Sequence, residues 1–323
     1  MTTGQLGINL SVARSCFVRC DGCYNHFGST DELVDTDAIV TFLRSAQAAG
    51  VQKVTLCGGD PLARPDIMPL LARIKALGFR VNLDTVGTPL LGEASTVFYG
   101  RRTIARVDPG DLARLVDLIG IPLDGGNDRT IAIFRGGRAN LLDDQLRIIE
   151  ALHAVGGRIC INTVVHRQNV ADVGNILPLL YNNASVVKWQ LFQFAPTGPL
   201  GFRNRAAYLI DEERLRLLEA QLRARAAERK WSAEIEVKTN TGRKDGYLLI
   251  DSEGLAWMPF SPTAGSWDPV KDATDKRVIV GDIRRPTDHR RILDAAAARG
   301  RRGSTFRGPH QRKGERHHAA LDL

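Results

Sequence analysis

The sequence predicts an α/β protein organised as a curved parallel sheet, an incomplete (β/α)6 barrel with a C-terminal hairpin extension. Two observations predict it. Between Leu6 and Phe194, six segments of strand character alternate with segments of helical period, and right-handed parallel crossovers are the default for such a rhythm. The residues richest in chemistry, a cysteine cluster, Gly58-Gly59-Asp60 and Asp124, fall at the carboxyl ends of expected strands. Loops of a parallel sheet converge on ligands there.

Leu6, Ile8, Leu10 and Val12 alternate on one side of the first strand. Asp35 or Thr36 caps a helix through Ala49, carried on Ile39, Val40, Leu43 and Ala46 and stopped by Gly50. Val51 to Cys57 is a buried strand ending in Gly58-Gly59-Asp60-Pro61. Its glycines let backbone approach a ligand closely, and its proline forbids a simple continuation. A helix from Pro65 to Leu77 leads to a third strand, Phe79 to Thr85. Glu93 to Pro109 is irregular, carries Arg101, Arg102 and Arg106, and has no assigned chemistry. Leu115 to Asp124 is the fourth strand, Asn140 to Val155 a helix, Arg158 to Val165 the fifth strand, Val170 to Leu180 a helix, and Val187 to Phe194 the sixth strand.

Ala195 to Tyr208, rich in Gly, Pro and Arg, is long enough for a lid. Asp211 caps a helix through about Lys230, with Leu215, Leu218 and Leu222 inward and the pairs Glu212/Arg216 and Glu219/Arg223 outward. Tyr247 to Ile250 and Leu255 to Met258 form a hairpin that closes the core. The expected organisation is a partial barrel over 1–210, a helix and hairpin over 211–283, and a basic, weakly ordered tail over 284–323.

At 323 residues, 43% apolar and 25% charged, the composition is that of a soluble globular protein. No apolar run approaches the length of a membrane span, and Met1 to Asn9 lacks a secretion signal, so a cytoplasmic location without membrane contact is expected. The net charge of +8 is concentrated between Arg284 and His318, where eleven Lys and Arg face Asp288, Asp294 and Glu315. A nearly neutral remainder argues against a nucleic-acid channel built into the fold. The five cysteines are an odd number, and Cys57 and Cys160 fall in strands as small buried hydrophobes, which suits a reducing compartment.

Cys16, Cys20 and Cys23 stand within eight residues. Four thiolates close the coordination sphere of zinc or a cluster, whereas three suit a cluster whose last iron receives a non-protein ligand. A zinc knuckle completed by His26 is the alternative, and with the basic tail it would make a nucleic-acid-binding protein. The C-x3-C-x2-C spacing, followed by Gly58-Gly59-Asp60-Pro61, resembles the radical S-adenosylmethionine (SAM) superfamily. Gly22 departs from the aromatic residue usual before the last cysteine there, and Tyr24 is expected to supply its contact.

Lys53, Asp124, Asn162 with Arg167 and Asn169, the Trp189 to Gln193 run, and Lys244 to Asp251 look like the viperin branch of that superfamily, over roughly Asn9 to Met258. The resemblance implies a [4Fe-4S] cluster on Cys16, Cys20 and Cys23. It implies SAM held by Gly58, Gly59 and Asp60, with Asp60 standing where Glu is general, and by Asp124 at a SAM ribose or substrate hydroxyl. Gln190 replaces a Lys of the viperin-like triphosphate clamp, which points to a nucleoside carrying a smaller anion, as in the viperin-related cytosylglucuronate decarboxylases of nucleoside antibiotic pathways. Lys53, Arg167 and Lys188 are then the expected carboxylate partners and catalytic residues. Asn162 and Gln190 are expected to contact the nucleoside, and Arg203 and Arg205 to close over it. The partners implied are a small nucleoside and an electron donor such as flavodoxin or ferredoxin. Dehydration of CTP and dehydrogenation or epimerisation of an aminoglycoside precursor are the rival radical chemistries.

Overall fold

One ten-stranded sheet carries the chain in this computed structural model, which describes residues 7–26, 32–243, 248–259, 268 and 270–303. Its strands are β1 (Gly7–Ala13), β2 (Lys53–Gly58), β3 (Arg80–Asp84), β4 (Leu118–Pro122), β5 (Ile159–Val165), β6 (Val186–Gln193), β7 (Glu234–Lys238), β8 (Leu249–Ile250), β9 (Leu255–Met258) and β10 (Val278–Asp282). Their spatial order is β7-β6-β5-β4-β3-β2-β1-β8-β9-β10. Every pair from β7 to β8 is parallel, and β8-β9-β10 turns back antiparallel.

Strand alternation sorts the side chains into two faces. Leu10, Val12, Val54, Leu56, Val81, Leu83, Ile119, Ile121 and Ile161 are fully buried in one continuous core. The intervening positions, among them Asn9, Ser11, Lys53, Thr55, Asn82, Asp84, Asn162, Lys188 and Gln190, share the other face. Lys53 on β2 and Lys238 on β7 feel each other's charge although four strands lie between them in the sheet. The sheet therefore curls around a polar lumen without closing, with β7 and β10 as its two ends.

Helices α1 (Thr36–Ala48), α2 (Ile67–Ala76), α5 (Leu141–Ala154) and α9 (Glu212–Glu228) lie where the pattern predicts them. Asp35 caps α1 by accepting from Ala38 N at 2.7 Å, and Asp211 caps α9 through Arg214 N at the same distance. Other expectations need correction. The fourth strand begins at Leu118, because Asp108 caps a helix, α3 (Pro109–Leu115), with Pro109 in its first turn. Asn127 caps a further helix, α4 (Asp128–Phe134). The expected helix over 170–180 is broken into a 3-10 turn, Val173–Asn175, and a single turn, α6 (Leu177–Leu180). The lid segment holds two short helices, α7 (Gly198–Arg203) and α8 (Arg205–Tyr208).

Past residue 283 the chain does not begin as a loose tail. Helix α10 (Pro286–Gly303) packs on α1 and β10, burying Ile292, Leu293 and Ala296. His289 is wedged between Ser45 Oγ and the Ile283 carbonyl, at 2.9 and 2.8 Å. Residues 304–323 and Lys244 to Tyr247 lie outside the described residues. None of the described helices is long and apolar enough to cross a membrane.

Candidate active site

Two backbone pairings hold the cysteine loop at the carboxyl end of β1. A ribbon made by Ala94–Ser95 and Thr103–Ile104 folds its tip against Cys16. Cys16 N donates to Phe98 O at 3.1 Å, while the N–H groups of Val97 and Phe98 donate to Cys16 O at 2.9 and 3.2 Å. A second pairing, Arg19–Cys20 with Arg135–Gly136, grips the middle of the loop. The segment 93–109, irregular and without chemistry on sequence grounds, thus builds one wall of the loop.

Gly22 has a steric reason. A Cβ there would lie 2.5 Å from the rings of both Phe134 and Phe194. The aromatic contact missing beside Cys23 therefore comes from facing elements, where Phe134, Phe194 and Tyr208 form a small buried cluster. The Tyr24 hydroxyl is turned toward Cys57 Sγ at 3.8 Å.

Burial pushes the thiols of Cys16, Cys20 and Cys23 up, Cys23 to about 12, and the thiols raise one another further at Cys16 and Cys23. Thiols held protonated this way must release protons when a metal centre binds. Among the described residues no three His, Cys, Asp or Glu side chains converge tightly enough for a single ion. His26 of the zinc alternative packs edge-on against Trp257, with ring centroids 4.6 Å apart. Three thiols on one short loop can bind three separate irons of a cluster and leave the fourth iron open to a non-protein ligand.

The glycine pair after β2 is stitched to this loop. Gly59 N donates to Ala13 O at 2.7 Å and Asp60 N to Ser15 O at 2.8 Å. A Cβ on Gly59 would collide with the carbonyls of Arg14 and Ser15, so only glycine allows this approach. Asp60, placed by the sequence at the methionyl amine, is used otherwise. Its carboxylate, 1% exposed, accepts from Leu62 N, Thr85 Oγ1 and Val86 N at 2.9, 2.7 and 2.6 Å. Burial raises it to about 6 against those bonds.

Asp124 is likewise corrected from a hydroxyl-binding role. Fully buried, it accepts from Arg135 Nε at 2.5 Å and Val164 N at 2.7 Å. Arg135 in turn donates to Cys20 Sγ at 3.2 Å. Burial alone would lower the guanidinium, but Asp124 and then Cys20 hold it charged. Sequence reasoning misses Arg135, a cation that joins the cysteine loop to Asp124 by charge-assisted bonds. Its signal lies in its position one residue past α4, itself unrecognised.

The lumen holds the remaining candidates. Lys53, half-buried, lies over β1, where a Cβ on Gly7 would come within 2.9 Å of its Cε. Burial lowers Lys53, as do Lys238, Arg80 and Lys188, with Glu236 opposing. No hydrogen bond or ion pair fixes its ammonium among the described residues. Asn162 donates to Asp84 Oδ1 at 2.9 Å across β4, and Gly120 between them leaves no room for a Cβ. Asp84 is open to the lumen yet deep in the protein, and burial raises it to about 6 despite Asn162 and Lys53. Asp84, the last residue of β3, went unassigned in the sequence. Asn82, two residues earlier on the same face, has a buried Oδ1 with no partner among the described residues.

Lys188 and Gln190 are near the lumen but engaged. Glu236 Oε2 accepts from Lys188 Nζ at 2.8 Å and from Gln190 Nε2 at 2.6 Å, and Glu236 Oε1 accepts from Lys238. Glu234 lies 3.3 Å from Lys188. Burial would raise Glu236, but these bonds bring it down to about 2. Lys188 is therefore a neutralised cation, not a ready carboxylate clamp. Arg167 is exposed and donates to Leu209 O at 3.2 Å, tying the end of β5 to the segment after α8. Arg205 donates to Phe202 O at 2.7 Å and stacks on the Phe202 ring, and Arg203 is exposed. None of the three arginines is held toward the lumen by these contacts.

Residues 10–180 match the model of the Radical SAM superfamily. Among curated proteins, the PqqA peptide cyclase of Methylorubrum extorquens (strain PA1) is 27% identical over 231 residues, covering 67% of this chain and 53% of that protein. The PqqA peptide cyclase of Xanthomonas axonopodis pv. citri is 29% identical over 222 residues, covering 65% and 53%. The chain spans about half the length of these relatives. Streptococcus suis SuiB bound to S-adenosylmethionine aligns with a TM-score of 0.61 at 16% identity, covering 83% of this chain and 64% of that one. Native anSMEcpe with bound AdoMet and Cp18Cys peptide aligns with a TM-score of 0.57 at 12% identity, covering 93% and 84%. These two likenesses concern the fold. The similarity thus reaches the superfamily, and the curated relatives just named are peptide cyclases where the sequence pointed to the viperin branch.

Proposed function

The chain belongs to the radical SAM superfamily, whose enzymes use a [4Fe-4S] cluster, SAM and a reductant, and on that premise we propose that it decarboxylates a nucleoside sugar acid such as cytosylglucuronic acid. The observation that carries this reading is Lys53, an unanchored ammonium in the lumen whose charge is disfavoured by burial and by Lys238, Arg80 and Lys188. An anion arriving there meets a cation that no described side chain holds in an ion pair, with Glu236 and Asp84 acting on it only through space. The carboxylate of a sugar acid meets that need with one charge, whereas the Lys188–Glu236–Lys238 network supplies no free clamp for a triphosphate.

When bound, the cluster and SAM supply a 5'-deoxyadenosyl radical that removes hydrogen from a substrate carbon. The chain's own residues orient and enclose. Lys53 holds the carboxylate; Asp84 and Asn162, joined across the lumen floor, offer an acceptor and a carboxamide to a base or sugar hydroxyl. After hydrogen is removed beside the carboxylate-bearing carbon, the C–CO2 bond would break and the sugar take up one electron from the reductant and two protons from solvent, so that carbon dioxide leaves and hydrogen replaces it, while α7 with α8 closes the mouth.

A second reading is peptide modification, which the names of the curated relatives favour. An anaerobic assay of reconstituted protein with SAM and reductant, given cytosylglucuronic acid and CTP in parallel and read by mass spectrometry, separates the readings. Loss of carbon dioxide with 5'-deoxyadenosine formed supports decarboxylation. Loss of water from CTP would move the protein to viperin-type chemistry, and 5'-deoxyadenosine formed with turnover of neither nucleoside would reject both.

A further inference from the structure

We propose that the outer face of the cysteine loop is the docking surface for a small acidic one-electron carrier protein, and that Arg101 and Arg102 are its charged anchors. Three segments distant in sequence meet on this face. A Cβ on Gly137 would lie 2.9 Å from Val97 and 3.6 Å from Arg19 N, so the ribbon tip, the stretch after α4 and the cysteine loop touch one another. The tip is fixed rather than loose. Tyr99 takes φ 50, a left-handed conformation rare for a bulky residue, and its carbonyl accepts from Ser15 Oγ at 2.7 Å.

The surface so formed has an apolar centre and a basic rim. Val97 and Tyr99 are 41% and 36% exposed. Around them stand Arg14, whose guanidinium lies 4.9 Å from the Tyr99 ring centroid, Arg203, close enough to influence the Tyr99 hydroxyl, and the exposed Arg19, Arg101 and Arg102. Asp21, 3.9 Å from Arg19, is the acid paired within this rim. Neither Arg101 nor Arg102 has a side-chain hydrogen bond or ion pair among the described residues. Mostly basic charge around a small apolar patch is the form of a transient encounter surface, where electrostatics sets the association rate and little area is buried.

The position of the patch suits electron entry. Val97 and Phe98 are hydrogen-bonded directly to Cys16, a buried residue, so a partner seated on Val97 is one backbone hydrogen bond from a candidate cluster ligand. The substrate lumen lies on the polar face of the sheet, and the outer face of the loop remains for the reductant. One electron leaves the carrier, which is oxidised by one unit, and reduces the [4Fe-4S] centre from its 2+ to its 1+ state; no bond is made or broken. This assignment rests on the cluster, not on the identity of the substrate.

The test uses the full chain with reconstituted cluster and a flavodoxin hydroquinone as probe, with cluster reduction followed by stopped-flow absorbance. Arg101→Glu/Arg102→Glu should slow reduction by flavodoxin at least about tenfold, within the range that steering supplies. Reduction by methyl viologen radical cation, and iron content, should stay as in the wild type, and added salt should slow the wild type far more than the variant. Arg101→Lys/Arg102→Lys should restore the flavodoxin rate. Unchanged flavodoxin kinetics in the Glu variant, or equal losses with viologen, or no rescue by Lys, would overturn the assignment. So would salt-sensitive binding of single-stranded RNA lost in the Glu variant while flavodoxin reduction is kept, which would make the patch a polyanion site.

Discussion

Gly22, Lys53 and Asp84 each set a limit that a single substitution reads out. Gly22→Phe restores the aromatic residue usual before the third cysteine but drives it into Phe134 and Phe194, whose rings already stand 2.5 Å from a Cβ at that position. Overpacking of this kind costs about 1–3 kcal/mol, and iron retained after reconstitution should fall by more than half, with Gly22→Phe/Phe134→Ala recovering part of it. Lys53→Met removes a charge that burial and its neighbours disfavour. The melting temperature should hold or rise, while turnover of a carboxylated substrate falls by about a hundredfold or more, as expected where a charge-assisted bond of roughly 1.5–3 kcal/mol is lost together with orientation. Asp84 titrates at about 6 in the folded protein against 3.8 ordinarily, mainly through burial. Its contribution to stability is therefore full below pH 3.8 and is lost as pH rises through about 6. Asp84→Asn should match the wild type in thermal stability at pH 4 and exceed it at pH 7; a constant difference across that range would refute the shift.

At the scale of elements, α10 is the clearest test of what the pattern hid. Ile292, Leu293 and Ala296 form a narrow apolar stripe in a segment dominated by arginine, and composition outweighed period there. Ile292→Ala should cost about 2–4 kcal/mol in denaturant unfolding, a value that a loose tail would not show. Helix α3 was masked differently. Leu112, Leu115 and Val116 suit a strand as well as a helix, although Asp108-Pro109 is a start signal. Strand β7 alternates Ile235 and Val237 with Glu234, Glu236 and Lys238, a legible pattern that is short and lies at the sheet's end. The long helices were readable because caps and apolar spacing agreed at Asp35 and Asp211.

For the whole molecule, the β-then-α rhythm revealed the parallel sheet, and strand ends located the site. Pairings across the lumen were not legible, since Asp84 meets Asn162, and Arg135 meets Cys20, only once the sheet has curled. Spacing alone could name the cysteines but not the ribbon that clasps them, because Phe98 reaches Cys16 through backbone groups that carry no side-chain signature. That clasp has a consequence for the life of the enzyme. The loop owes its shape to hydrogen bonds that need no iron, so chelating the metal should leave the circular dichroism spectrum unchanged and the melting temperature within a few degrees, unlike small zinc domains that unfold without their ion. On that expectation, a molecule stripped of its metal keeps the mould in which a new centre can be assembled.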